Sequence, residues 1–257
     1  MICRITKWLS AIVIAMLLVA CAGPVPKIDL APSAMTNMKT ITIVRPPEPK
    51  VYAVFNFGHG GMAFGLIGGL VAAADQNSKQ EQLAKTYKEN GVSVCSELSQ
   101  KIADRLNGLG FNARVEDAPW EEVDGKQILP FKKIISDADA VLVVSPTVIG
   151  FVATGLAGGY SNDYLPTIAT VVTLLGRDRE APIYRGYHVT GWKLGAEGWK
   201  YTPPTTTFPN FEALNSNPKV SANSLTDAAE KIANSIATDL KQQQGIAKVA
   251  FSAEGTK

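Results

Sequence analysis

The sequence predicts an α/β (α+β) protein: one mixed sheet of about five strands with helices packed on it, in the order β(β)-α-β-α-β-β-β-α. Three observations carry this. Thr40-Ile41-Thr42-Ile43-Val44 is β-branched throughout, which suits a pleated strand. Val94, Leu98, Ile102 and Leu106 recur every fourth residue, the stripe of an amphipathic helix. Residues 164–175 and 182–192 are two long β-like runs joined by the polar loop Gly176-Arg177-Asp178-Arg179-Glu180, a hairpin.

In chain order, regular structure is expected from Lys39 onward. Arg45-Pro46-Pro47-Glu48-Pro49 breaks the first strand, because proline cannot donate to a central ladder. A second β-like run resumes over 51–57. The two runs form either a hairpin or one interrupted strand, and the prolines favour a sheet edge. Residues 58–74 are glycine-rich and uncharged, and Gly61, Gly65, Gly69 and Ala73 fall four apart, on one face of a helix. The helical pattern continues over 76–90, stops or kinks at Asn90-Gly91, and resumes over 92–109. Phe111, Ala113 and Val115 then alternate with polar residues as a half-buried strand. Trp120 opens a loop through Asp124-Gly125, and 128–135 reads as a short helix. Ala140-Val141-Leu142-Val143-Val144-Ser145 suits a central buried strand that continues past Pro146. Residues 192–222 contain Pro203, Pro204, Pro209 and Pro218 and read as irregular. Ser224 or Thr226 caps a closing helix to about Gln243, striped by Leu225, Ala229, Ile232, Ile236 and Leu240. At roughly 100–200 residues per domain, 39–246 is a single domain and 247–257 a tail.

Residues 1–20 are read as a signal peptide: Arg4 and Lys7 precede an apolar run over 9–20 that is short for a spanning helix, which needs about 20 residues. The run ends in Leu18-Val19-Ala20-Cys21, which resembles the lipobox of bacterial lipoproteins. That resemblance implies cleavage before Cys21, a diacylglycerol on its sulfur and an acylated amine, hence a membrane anchor. Ala22, where a sorting Asp is absent, favours the outer membrane facing the periplasm by the same resemblance. Residues 21–38 hold Pro24, Pro26 and Pro32 without hydrophobic period and read as a flexible tether spanning about 20–25 Å on average. Removing Arg4 and Lys7 lowers the 25 basic side chains to 23, equal to the 23 acidic ones. Nothing in that balance points to nucleic acid as a partner. The element order resembles that of the small α/β domains of the curli secretion-channel lipoprotein, the penicillin-binding-protein activator lipoproteins and the periplasmic β-propeller protein of the Tol system.

The chain offers little catalytic chemistry. Gly58-His59-Gly60-Gly61-Met62-Ala63 matches the dinucleotide fingerprint, but the acidic residue about 20 positions on is missing, with Asp75 too early and Glu116 too late. His59-Gly60-Gly61 is similar to the oxyanion-hole sequence of lipases and esterases, yet no G-x-S-x-G elbow accompanies it. His59, His188 and the lone mature thiol Cys95 match no metal spacing. No enzyme activity, cofactor or metal is therefore expected, and Cys95 is either a small buried hydrophobe or a reactive thiol.

Two features remain. The Gly61/Gly65/Gly69/Ala73 face allows close backbone approach and resembles the glycine-zipper helices of some envelope proteins; it is a buried packing face, a self-association face or a membrane-contacting one. Gly191-Trp192-Lys193 and Gly198-Trp199-Lys200-Tyr201 form a small repeat whose Trp192, Trp199 and Tyr201 either bind a partner or cap the core. The expected function is a non-catalytic, lipid-anchored envelope module that binds a protein partner or self-associates as a homo-oligomer. The alternatives are an oligomeric pore or secretion-type lipoprotein using the glycine ladder and, more remotely, an envelope hydrolase.

Overall fold

The computed structural model describes residues 26–31, 38–57, 65–123, 126–153, 163–193 and 198–254, with backbone alone for 65–74, 126 and 244–254. The chain runs β1 (Thr40–Val44), β2 (Ala53–Asn56), α1 (Gly65–Glu89), α2 (Val94–Gly108), β3 (Asn112–Glu116), β4 (Glu121–Val123), β5 (Lys126–Ile128), β6 (Ala140–Ala153), β7 (Leu165–Leu175), β8 (Pro182–Thr190), β9 (Trp199–Thr202), α3 (Phe211–Asn215) and α4 (Pro218–Glu254). Strands and helices form one mixed α/β layer pair. The sheet order is β3-β1-β6-β7-β8-β9, and β2 joins it beside β6, giving seven strands.

β6 is the hub. Its first residues pair in parallel with β1, its last in parallel with β2, and its whole length runs antiparallel to β7. β1 and β2 are therefore one interrupted strand and not a hairpin. β1 lies inside the sheet, between β3 and β6, and only β2 is at an edge. The prolines are tolerated because they sit in the arch between the two pieces and owe nothing to the ladder.

All four helices contribute to one large core. Leu83 and Tyr87 of α1, Leu98, Ile102 and Leu106 of α2, and Leu225, Ile232, Ile236 and Leu240 of α4 bury against Ile41, Ile43, Leu142, Ile168, Val172 and Tyr184. Each fully buried Leu or Ile contributes about 1.5–3 kcal/mol. The opposite sheet face carries a smaller core, in which Leu129 and Ile134 cover Val44, Val141, Val143 and Leu175, with Trp120 and Phe131 beside them.

Several expectations are corrected. Residues 128–135 are not a helix: β4 and β5 form a separate two-stranded ribbon, followed by a 3-10 turn at Phe131–Lys133. Pro130, which has no N–H to give, precedes that turn. The region 192–222 contains β9 and α3. α4 starts at Pro218, where the fixed φ of proline suits the first helical position and Asn217 Oδ1 accepts from Val220 N–H at 3.2 Å. α4 continues through Glu254, into the expected tail. Asn90-Gly91 ends α1 outright, with Gly91 at φ +64. Part of the expected tether is docked: Ile28 exchanges backbone hydrogen bonds with Arg185 of β8 at 3.1 and 2.8 Å, and Leu30 is buried.

The β2–β6 contact depends on Gly150. Its φ is +151, and a Cβ there would lie 2.0 Å from the Ala53 carbonyl oxygen. Gly150→Ala should cost about 2–3 kcal/mol, read as a lowered urea midpoint with unchanged slope. A loss under about 0.5 kcal/mol, that of an ordinary surface change, would mean that β2 does not approach β6 so closely.

Candidate functional site

Register places the aromatic residues. Lys200 of β9 contacts Asp239 of α4, so Lys200 faces the helices, and its neighbours Trp199 and Tyr201 face away. They sit opposite Tyr187 and Val189 of β8, and the Tyr187 and Trp199 rings lie 5.2 Å apart. At the other side of the same face, Val54 enters the main core, so Phe55 and Phe57 point outward. Trp192 reaches across to Phe57, ring to ring 5.2 Å, and Phe55 lies 6.1 Å from Phe57. The Trp192 backbone N–H donates to Thr167 Oγ1, and the Tyr201 hydroxyl donates to Gly191 O, each at 3.3 Å.

The structure thus brings Trp192, Trp199 and Tyr201 onto one sheet face that no helix among the described residues covers, each half-buried. It does not make the two tryptophans a stacked pair: Trp192 belongs to the β2 side and Trp199 to the β9 edge. Phe57, 40% exposed, is the open end of the row. Gly65, Gly69 and Ala73 lie in the first half of α1, where only the backbone is described. Cys21, Gly61 and His59 lie outside the described residues. No helix among the described residues is long and apolar enough to cross a membrane.

A cleft of about 410 Å³ opens where the strand is interrupted, between the proline arch and the Ser145-Pro146-Thr147 stretch of β6. Glu48 fixes the arch: its carboxylate accepts the N–H groups of Cys95 and Ser96, at 3.1 and 2.9 Å, at the start of α2. Ser93 makes no side-chain cap there, so Glu48 satisfies donors that a helix start leaves open, at the end where a negative charge is favoured. The Trp120 indole N–H donates to Arg45 O at 2.8 Å and sets one wall. Cys95 is 1% exposed and burial pushes its thiol up, which favours the buried-hydrophobe reading over the reactive one. Sequence reasoning missed this cleft, although its signal was present in the paired breaks at Pro46–Pro49 and Pro146.

A second feature is a buried polar cluster under α4. The Tyr184 hydroxyl donates to Asp239 Oδ2 at 2.6 Å and lies 3.3 Å from His188 Nε2, while His188 Nδ1 is 2.8 Å from Ser235 Oγ. The Tyr184 proton goes to the carboxylate, so its oxygen accepts from His188 Nε2–H, and the bare Nδ1 accepts from Ser235. Gly186 makes room, since a Cβ there would meet the Tyr184 hydroxyl at 2.0 Å. Burial would raise the Asp239 carboxyl, but the Lys200 ammonium and the Tyr184 hydroxyl outweigh it and hold it low. Burial pulls His188 down to about 4. The histidine is neutral and satisfied, and its contacts tie α4 to β8.

No family model matches the chain. No curated protein matches it either. Among solved structures, protein XCC0632 from Xanthomonas campestris, with the family-model description DUF330, is similar at 10% identity and a TM-score of 0.31. The likeness covers 59% of this chain and 65% of that one, under two thirds of its length, and it names neither an activity nor a ligand.

The cluster has a pH consequence. Below the ordinary histidine value of 6.5, the unfolded chain takes up a proton that the native state refuses down to about 4. Stability should therefore fall by about 2 kcal/mol from pH 7 to pH 5. In His188→Gln that loss should vanish on a lower baseline. An equal slope in both proteins would place the titration elsewhere.

Proposed function

We propose that this chain is a lipid-anchored protein of the bacterial envelope, held at the outer membrane and facing the periplasm. It binds a protein partner on the sheet face opposite α4 and performs no catalysis. The observation that carries the reading is the aromatic row Phe55–Phe57–Trp192, with Tyr187–Trp199 beside it, on a face that no described helix covers. Aromatic side chains that are rigid, half-buried and open at one end are the usual anchors of protein interfaces. The non-catalytic part is supported by His188 being buried and engaged, and by Cys95 being buried.

The lipobox-like Leu18-Val19-Ala20-Cys21 supports the anchor. Ile28 is docked on β8, so only seven residue steps separate it from Cys21, at most about 25 Å of chain. An acylated Cys21 would therefore hold the β8–β9 side of the sheet close to the bilayer, and the aromatic face would be presented beside the membrane surface.

A photo-crosslinking residue in place of Phe57, in intact cells, tests both parts. It should give one discrete higher-mass adduct in the membrane fraction, several-fold weaker with Trp192→Ala and absent when the crosslinker replaces Lys85 on α1. Cys21→Ser should move the protein to the soluble fraction. Equal adducts from Phe57 and Lys85, or a Cys21→Ser protein that stays in the membrane fraction, would refute the reading.

A further inference from the structure

Between Val143, paired with Val44, and Gly150, paired with Ala53, the six β6 residues Val144 to Ile149 have no strand partner on the β1/β2 side among the described residues. The cause is local. The chain takes nine residue steps from Val44 to Ala53 to pass seven of β6, so it must arch away from the ladder. Pro46, Pro47 and Pro49 have no N–H to offer β6. Glu48 then draws the arch to the start of α2. On the β7 side, the register shifts between Pro146 and Val148. What remains is a stretch of strand edge at the bottom of a cleft of about 410 Å³.

The lining decides what fits. Pro47, Val51, Phe55 and Trp120 make the walls apolar. The charged groups at the cleft are already engaged, Glu48 with α2 and Lys50 with Glu122 at 2.6 Å, so an uncharged occupant is complementary. A hydrocarbon would leave the edge N–H and C=O groups unmet, which is costly where water is excluded. An extended peptide backbone carries donors and acceptors at the spacing the edge presents. Phe55 lines the cleft and also belongs to the aromatic row, so the two surfaces are continuous.

We propose that the cleft receives a short, uncharged, extended segment of the partner protein, which adds to β6 as the missing piece of strand. The proposal rests on the partner-binding reading above and names how the partner is gripped. The test is a titration of the 15N-labelled, detergent-solubilised full chain with a pooled library of uncharged pentapeptides, acetylated and amidated at their ends. The amide signals of Ser145, Thr147, Val148 and Ile149 should shift, and the same library N-methylated at alternate residues should bind at least tenfold more weakly. Equal binding of both libraries would mean an apolar pocket that ignores backbone hydrogen bonds, and the proposal would fall. Unmoved β6 amides at millimolar peptide would also overturn it. If the Phe57 crosslink persists while those amides stay still, this inference fails and the binding reading stands. If the peptides bind but the crosslink is absent, the cleft stands and the aromatic face fails.

Discussion

Fourteen consecutive residues, Ala140–Ala153, form the ladder on which both halves of the sheet depend. On one side they hold the parallel pieces β1 and β2; on the other they start the antiparallel β6-β7-β8 meander. A strand shared in this way must be buried on both faces, and all but Ser145 to Val148 and their bulge are so. The exception coincides with the proline arch. One local fact, that three prolines cannot pair with β6, thus produces the strand break, the cleft and the unpartnered edge together.

The second constraint is the fit of α4 to the sheet. Its apolar stripe would tolerate small slides, since Leu, Ile and Ala recur along it. The polar cluster does not, because Tyr184, His188, Ser235 and Asp239 satisfy one another in a single arrangement. A buried network of this kind adds modest net stability but penalises misalignment, as each unmade bond leaves a desolvated polar group. Outside the main core, Lys101 and Arg105 of α2 both reach Glu230 of α4; these partly exposed ion pairs contribute little next to the buried stripe.

Where periodicity was strong, the fold could be read from residues alone. The Val94, Leu98, Ile102 and Leu106 stripe is buried to the last member, and the long hairpin pairs as its alternation required. Failures came where the signal was short or non-local. β9 has four residues, too few for a period, and the β4–β5 ribbon has only three residues per strand. Asn217-Pro218 was a helix start in plain view, hidden among other prolines. The in-line arrangement of β1 and β2 is set by pairing with residues about a hundred positions away, and the Asp239 partners lie 39, 51 and 55 positions back in the chain, so no window could reveal them. Of the site, the aromatic members Trp192, Trp199 and Tyr201 were visible through their repeat, whereas Phe55 and Phe57 were not, because nothing local told which face they took.

The break in the β6 ladder is the claim on which most of this account turns, and native-state amide hydrogen exchange measures it residue by residue. Amides of 141–143 and 150–153 should be protected, and within 145–149 those directed at the cleft should exchange orders of magnitude faster. Uniform protection from Val141 to Ala153 would show the ladder to be continuous, and the cleft as described would not exist.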